Sequence, residues 1–296
     1  MITFSRLGLY GRFGNQLFQY SVVKSVALET GYSLKIPNPE NYNWQNQKSY
    51  LKCYDLKADL LEPEDLQKIR YRFVEPDHTK FYADVFKVPD DIDFYGYFQN
   101  YRYFSKHLPE LKKEFVMREE ITDKANDYLD SIRECGDRDS EIVSIHVRRG
   151  DWLAEYSYDT NMSHHYGVGD VLTPDSPYGR YVYPAMRQFE DKKVKFLVFS
   201  GGSQKGVNHN QTDMDWCKRN FKGDEFYFCE GNEDIVDFEI MRMCNHNILC
   251  HMTSFGYWAA LLNGNQDKRV VAPQNYTFPD DGRQHQGFYP PSWVTV

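Results

Sequence analysis

Apolar positions follow two patterns along the chain: short continuous runs, and longer segments with an apolar residue at every third or fourth position. The runs are typical of buried strands and the longer segments of amphipathic helices. After residue 138, strands are predicted at 142–147, 194–200, 225–229, 247–250 and 269–272. Helices are predicted between them at 184–190, 212–220, 235–244 and 255–262. Such alternation indicates βαβ units, so this part is predicted to be an α/β domain with a parallel sheet.

The first part of the chain begins with the same kind of unit. A strand is predicted at 2–9, followed by a glycine-containing loop at 11–16. A helix then runs to about Glu29 and is ended by Gly31, and a second strand follows at 33–36. Backbone N–H groups in such a loop can approach an anion or a sugar hydroxyl closely. The spacing Gly11-x-x-Gly14 differs from the dinucleotide-binding fingerprint, so the loop alone does not indicate a nucleotide.

The middle of the chain is less regular. Residues 37–93 are irregular and polar; a strand is predicted at 93–99 and helices at 108–115 and 123–133. The polar stretch 135–139 contains a glycine, which is typical of a linker. We therefore expect two Rossmann-like domains, 1–138 and 139–296, that face a cleft.

The strand at 142–147 ends in a cluster of polar residues. The sequence there is His146-Val147-Arg148-Arg149-Gly150-Asp151. In an open α/β sheet, ligands bind at the carboxyl ends of the strands. A guanidinium group suits a phosphate or carboxylate and keeps its charge at all working pH values. The alternative is an ion pair between Arg149 and Asp151 that only caps the strand.

The helix predicted from Phe255 begins directly after Thr253 and Ser254. Hydroxyl groups and backbone N–H groups at a helix N-terminus can bind phosphate, although a serine or threonine there often serves only as a cap. Together with Arg148 and Arg149 at a neighbouring strand end, this terminus would have the charge needed for a diphosphate.

Composition restricts the class of protein. The chain has 296 residues and a net charge of −8 without a basic run, so we expect no nucleic acid partner. No apolar run is long enough for a transmembrane segment and no signal peptide is recognisable. The 6 cysteines lack the spacing of a disulfide framework. The expected protein is soluble and cytoplasmic.

Two kinds of metal site are possible alternatives. Asp-x-Asp, found in metal-dependent transferases, occurs at Asp91-Ile92-Asp93, Asp137-Arg138-Asp139 and Asp213-Met214-Asp215. These lie before a strand, in the predicted linker and at a helix start, where acidic residues favour the dipole. A zinc site could use Cys244, His246, Cys250 and His251, but their predicted places do not suit one tetrahedron. We expect no metal and no other cofactor.

Four motifs in order resemble one enzyme family. They are Gly11-Arg12-Phe13-Gly14-Asn15-Gln16, Tyr95-Gly96-Tyr97-Phe98-Gln99, His146-Val147-Arg148-Arg149-Gly150-Asp151, and Asp237-x-x-x-Met241-x-x-Cys244 continuing to Ser254-Phe255-Gly256-Tyr257-Trp258-Ala259-Ala260. This series resembles the α-1,2-fucosyltransferases of glycosyltransferase family 11 and covers nearly the whole chain.

The resemblance implies a GT-B fold and inverting, metal-independent transfer from GDP-β-L-fucose to a hydroxyl of a galactose-containing oligosaccharide. It also implies donor-binding roles for residues of both domains. Arg148 would contact the β-phosphate, His146 and Asp237 the nucleoside, and Thr253 or Ser254 the diphosphate, beside Arg149 and Phe255. Gly14 and Asn15 would reach the donor from the other domain.

An inverting transfer needs a base or a good acceptor near the incoming hydroxyl. Asp151 and Glu155 are the candidates, and Asp151 could equally support an arginine. The long loop from Trp152 to Tyr181 is expected to be a lid on the acceptor side, because loops of this length are often functional.

The chain also departs from the family pattern. Gly201 and Gly202 stand where the family has two acidic residues, Tyr257 replaces a tryptophan, and His251-Met252 replaces a small residue and an asparagine. Two alternative functions follow: a nucleotide-sugar-binding or glycan-binding protein without catalysis, or a metal-dependent glycosyltransferase with another donor.

Overall fold

Parallel sheets form the centre of both units into which the chain divides. In the computed structural model, the structure describes residues 1–9, 11–40, 43–44, 47–48, 51–149, 171–176, 178–201, 210–251, 253–274 and 287–296. The first unit comprises the described residues of Met1–Arg118 and Arg283–Pro291, and the second those of Glu119–Gly282 and Ser292–Val296.

The first unit contains seven of the described strands and three of the α-helices. The strands are β1 (Ile2–Thr3), β2 (Leu34–Ile36), β3 (Asn43–Trp44), β4 (Gln47–Lys48), β5 (Asp59–Leu60), β6 (Tyr71–Val74) and β7 (Ile92–Tyr95). The helices are α1 (Phe13–Thr30), α2 (Pro63–Leu66) and α3 (Leu108–Glu114). Five strands form a parallel sheet in the order β5-β2-β1-β7-β6, and β3 pairs with β4 antiparallel. The strand order reverses between β1 and β7.

Helix α1 forms much of the core of this unit. Its residues Leu17, Phe18 and Val22 have no exposed surface. The helix ends where the sequence predicts, and the backbone N–H of Gly31 donates to the carbonyl of Ala27 at 2.9 Å. Strand β1 ends at Thr3, and residues 5–9, which were predicted to continue the strand, form turns. These turns lead to the glycine loop, which lies on the carboxyl side of the central strand.

The second unit has six described strands and five helices. The strands are β8 (Glu141–Val147), β9 (Val194–Ser200), β10 (Phe226–Phe228), β11 (His246–Ile248), β12 (Val270–Ala272) and β13 (Val294–Thr295). The helices are α4 (Glu119–Glu134), α5 (Gly179–Arg187), α6 (Asn210–Asn220), α7 (Asp234–Met243) and α8 (Ser254–Leu262). The parallel order β10-β9-β8-β11-β12-β13 is the Rossmann order 3-2-1-4-5-6. This confirms the predicted α/β class with parallel sheets.

The predicted strands and helices after residue 138 are present, with shifts at their ends. The largest shift is in α5, which begins at Gly179 and contains Pro184 instead of starting there. Tyr181 and Val182 are buried against the sheet, and this packing extends the helix toward its N-terminus.

The division between the units lies between Arg118 and Glu119, whereas the sequence suggested residue 138. Helix α4 explains the difference, because it packs on the second unit. Leu129 is fully buried, and the Tyr128 hydroxyl donates to the carbonyl of Phe228 at 3.0 Å. The polar stretch after α4 is therefore a turn within the second unit.

Helix α8 is strongly apolar and lies inside the second unit. Its residues Trp258, Ala259 and Ala260 have no exposed surface. With 9 residues it is shorter than the roughly 20 that a membrane span requires. Among the described residues, no helix is both long and apolar enough to cross a membrane.

Candidate functional site

The polar cluster after β8 lies at the reversal of strand order in the second unit. Strand β8 has β9 on one side and β11 on the other, so the direction of sheet growth changes beside it. His146 belongs to the strand, and Arg148 and Arg149 follow its last residue, Val147. In Rossmann folds, ligands bind outside the carboxyl ends of the strands at this point. The structure thus places the predicted residues where a ligand is expected.

Thr253 joins the N-terminus of α8 to His146. Its Oγ1 accepts the backbone N–H of Gly256 at 3.0 Å and lies 3.0 Å from His146 Nδ1. Since the cap uses a lone pair of this oxygen, the hydroxyl hydrogen can be donated to the imidazole. The His146 proton then lies on Nε2, which leaves the ring one N–H donor.

His146 is neutral in this environment. Its side chain is buried, and burial together with the nearby charge of Arg148 lowers its pKa to about 3. The ring of Phe255 lies 5.9 Å from the imidazole, centre to centre. A neutral, oriented imidazole can bind a ligand by hydrogen bonding over the whole physiological pH range.

Arg148 and the first turn of α8 form the cationic side of this site. Arg148 is half-buried. Its positive charge favours the neutral form of His146 and, against the larger effect of burial, the thiolate form of Cys250, which shows that both groups lie near it. Ser254 and Phe255, also half-buried, lie in the first turn of α8, whose backbone N–H groups suit an anion. The structure therefore brings five predicted residues together: His146, Arg148, Thr253, Ser254 and Phe255.

Arg149 has a different environment from Arg148. Only 9% of its surface is exposed, its Nε lies 3.5 Å from Asp213 Oδ1, and its guanidinium carbon lies 4.1 Å from the centre of the Trp216 ring. Both partners belong to α6. These contacts attach the end of β8 to that helix. Asp213 and Trp216 were not recognised as part of the site from the sequence.

Asp237 lies in the first turn of α7, near the carboxyl end of β10, which β9 separates from β8. Its Oδ1 accepts from Asn232 Nδ2 at 3.1 Å and from the thiol of Cys229 at 3.2 Å. Burial raises the pKa of Asp237 to about 6, and these hydrogen bonds offset only part of that effect. A carboxylate held in this way can accept hydrogen bonds from N–H or O–H donors of a ligand.

The raised pKa of Asp237 predicts a pH-dependent stability. Between about pH 4 and pH 6 the unfolded chain loses this proton while the folded chain keeps it, so the folded state becomes less stable as pH rises. The expected loss is about 3 kcal/mol, and it is complete above the folded pKa. Asp237→Asn removes this contribution.

Urea unfolding of the original protein and of Asp237→Asn, from about pH 4 to about pH 7.5, measures this contribution of Asp237 to stability. The stability of Asp237→Asn relative to the original protein should rise through the window and then stay constant. A difference that does not change with pH would show that the pKa of Asp237 is not raised.

In the first unit, Gly14 and Asn15 lie in the first turn of α1. Gln16 Nε2 donates to the carbonyl of Gly11 at 3.3 Å, which closes the loop before the helix. Asn15 Oδ1 accepts from Gln99 Nε2 at 2.7 Å. The Tyr95–Gln99 motif is therefore a partner of the glycine loop, a link that the sequence did not reveal.

Several predicted residues lie outside the described part of the chain. They are Asp151 and Glu155, residues 152–170 of the proposed lid from Trp152 to Tyr181, Gly202 and Met252. Their predicted roles stay predictions. The last residues of the proposed lid, from Gly179 onward, belong to α5 instead.

Several of the residues considered for metal binding have other partners. Asp213 pairs with Arg149, Asp93 accepts from the Ser5 hydroxyl at 2.9 Å, and Asp137 pairs with Lys193 at 3.1 Å. His246 uses Nε2 toward Glu141 and Nδ1 toward the backbone N–H of Arg269. In the part of the chain that the structure describes, no group of three or more His, Cys, Asp or Glu residues could hold a metal ion.

Comparison with known proteins identifies the family of this chain. Residues 3–296 match the model of glycosyl transferase family 11. Among curated proteins, galactoside alpha-(1,2)-fucosyltransferase 1 of Homo sapiens is 26% identical over 299 residues, which cover 97% of this chain and 73% of that protein. Galactoside alpha-(1,2)-fucosyltransferase 2 of Rattus norvegicus is 25% identical over 308 residues, covering 97% and 75%.

Two solved structures show a similar fold. NodZ alpha-1,6-fucosyltransferase soaked with GDP-fucose has a TM-score of 0.52 and 14% sequence identity, and the match covers 92% of this chain and 94% of that one. POFUT1 in complex with GDP has a TM-score of 0.53 and 14% identity, with 92% and 97% covered. The α/β fold of this chain is thus GT-B-like.

Proposed function

Because the chain belongs to glycosyltransferase family 11, we propose that it transfers L-fucose from GDP-β-L-fucose to O2 of a galactoside, with inversion to an α-1,2 linkage. The relatives named above are galactoside alpha-(1,2)-fucosyltransferases. The observation that carries the proposal is the arrangement at the end of β8, where His146, Arg148 and the capped N-terminus of α8 meet.

The donor is assigned to the second unit through its GDP group. Arg148 and the backbone N–H groups at the start of α8 suit the diphosphate, because both supply donors and positive potential. His146 Nε2–H donates to an oxygen of the nucleoside, and Asp237 accepts from a nucleoside N–H or O–H. We assign Arg149 to the support of this strand end through Asp213 and Trp216.

Transfer requires the bond between fucose and the β-phosphate to break. The sugar then acquires oxocarbenium-like character and the departing GDP acquires negative charge. Arg148 and the helix terminus are fixed before the reaction, so they stabilise this charge as it develops.

Acceptor activation is assigned from the sequence alone. Asp151 or Glu155 would take the proton of the galactoside O2 hydroxyl as it attacks the anomeric carbon from the face opposite GDP. Gly14 and Asn15 of the first unit would contact the donor. The cytoplasmic location expected from the sequence stays a prediction.

A donor panel tests the proposal. Release of the nucleoside diphosphate should be measured with each donor, as GDP from GDP-fucose and GDP-mannose and as UDP from UDP-galactose, with and without lactose as a simple galactoside. The expected result is release from GDP-fucose that depends on lactose. Tight binding of GDP-fucose without acceptor-dependent release would favour the non-catalytic alternative, for which the Gly201-Gly202 departure is the motivation.

Transfer should also continue in EDTA. Arg148 and the start of α8 supply the positive potential that a divalent cation gives other transferases, so we expect a rate within about twofold of the untreated enzyme. The measurement is the initial rate in about 5 mM EDTA, a large excess over trace metal. Activity lost in EDTA and restored by Mn²⁺ or Mg²⁺ would favour the metal-dependent alternative.

A further inference from the structure

The reversal of strand order in the first unit carries its own hydrogen-bond network. Strand β1 leads to the glycine loop and α1, and the adjacent strand β7 leads to the turn Gly96–Gln99. Two glutamine side chains connect the turn to α1. Gln99 Nε2 donates to Asn15 Oδ1 at 2.7 Å, and Gln19 Nε2 donates to the carbonyl of Gly96 at 3.3 Å. The conformation of this turn therefore determines where the Asn15 amide lies.

The turn has an unusual backbone. Phe98 has a φ of 52°, in the left-handed region that a non-glycine residue seldom adopts, and its side chain is fully buried. Such conformations cost on the order of 1–3 kcal/mol and persist only where surrounding contacts fix them. A second element must therefore hold the turn in place.

Glu75, directly after β6, is that element. Its Oε2 accepts the backbone N–H of Tyr97 at 2.7 Å and that of Phe98 at 3.0 Å, and its Oε1 lies 3.1 Å from the same Phe98 nitrogen. The Glu75 backbone N–H donates to the carbonyl of Tyr95 at 2.8 Å. Two charge-assisted hydrogen bonds to consecutive N–H groups fix both position and orientation of the turn.

Close packing strengthens this contact. A β-carbon at Gly96 would lie 2.4 Å from Glu75 Cβ and 2.7 Å from its Oε2, so the carboxylate fits only against a glycine. The glycine of this motif thus provides the space for Glu75. None of the motifs that define the resemblance contains Glu75.

We propose that Glu75 is a positioning residue for Asn15, acting through the Gly96–Gln99 turn and the Gln99 amide. The proposal rests on the proposed function, in which Asn15 contacts the donor. With its Oδ1 occupied by Gln99, Asn15 offers its amide nitrogen, a donor that suits a phosphate or sugar oxygen.

Kinetics of single and double variants test the coupling. In Glu75→Ala, the turn loses its acceptor and Asn15 shifts, so kcat/KM should fall by on the order of 10²-fold, as misplacements of about 1 Å can cause. In the Asn15→Ala background the same substitution should have little further effect, because residues that act through one another are not additive. Additive losses would overturn the proposal.

Two further variants separate positioning from stability. Glu75→Gln keeps one oxygen able to accept both N–H groups, so it should restore most of the activity. Asp65→Ala is the matched control: this buried carboxylate also accepts a backbone N–H, that of Glu62 at 3.1 Å, and pairs with Lys35 at 2.8 Å. It should lower the melting temperature and leave kcat/KM unchanged. A Glu75→Ala enzyme that behaves like this control would contradict the proposal.

A readout without substrate keeps this test independent of the proposed function. The side-chain amide resonance of Asn15, identified by its loss in Asn15→Asp, should shift in Glu75→Ala and not in Asp65→Ala. If the original protein neither binds nor cleaves GDP-fucose, the proposed function fails while the resonance still reports the link. An Asn15 resonance unaffected by Glu75→Ala overturns the positioning role in either case.

Discussion

Replacing Arg148 by lysine should lower kcat by about 10²-fold or more, with a smaller loss of GDP affinity. Lysine keeps the charge but loses the planar guanidinium that binds two oxygens at once. The contact is proposed to strengthen as charge develops on the departing GDP, so its loss affects the transition state more than the bound ground state. Initial rates and calorimetry with GDP measure the two effects separately.

Arg149→Lys is the matched control in the next position. Lysine there would keep a charge for Asp213 but would lose the flat contact with Trp216. Its main effect should be a lower melting temperature, with a smaller loss of kcat than in Arg148→Lys. A fully active Arg148→Lys enzyme would refute the phosphate contact assigned to Arg148.

Thr253→Val should lower the free energy of unfolding by about 2–4 kcal/mol and weaken GDP binding. The loss of an N-cap costs about 1 kcal/mol, and a buried polar atom left without its partner costs about 1–3 kcal/mol. Here that atom is His146 Nδ1, which is hydrogen-bonded to Thr253 Oγ1. GDP affinity falls because the imidazole is no longer held in one tautomer and orientation.

Thr253→Ser provides the comparison, because it keeps the oxygen and removes only a methyl group. It should retain most of the GDP affinity of the original protein. Urea unfolding and GDP calorimetry on the pair measure both effects. Equal GDP affinity for the serine and valine variants would show that the hydrogen bond to His146 does not contribute to the site.

The sequence predicted those parts of the site that depend on local pattern. Strand β8 is a continuous apolar run and the arginines follow it directly, so their place at a strand end was evident. Thr253 stands just before an apolar helix, which is the usual position of a cap, and the structure confirms it as the N-cap of α8. In both cases the local structure is determined by residues that are close in the sequence.

Edge strands of the first sheet were missed for a physical reason. Residues 37–93 were predicted to be irregular, yet they contain β5 and the four-residue strand β6. Tyr71, Arg72 and Val74 of β6 are exposed, so this strand has no apolar alternation. It is defined by pairing with β7, which a single-sequence pattern does not contain.

Contacts between distant residues could not be predicted either. Asn15 and Gln99 are 84 positions apart, and the sheet alone brings their strand ends together. In the sequence, Asp213 fits either an Asp-x-Asp metal motif or the start of a helix. Its pairing with Arg149 depends on how α6 packs beside β9. Such partners require the tertiary structure.

The product of a preparative reaction with GDP-fucose and a galactoside tests the central claim most directly. NMR of the isolated product identifies the anomeric configuration and the linked oxygen in one measurement. The account predicts a single fucose in the α configuration on O2 of the galactose. A β-linked fucose, a linkage to another oxygen or an unmodified galactoside would contradict it.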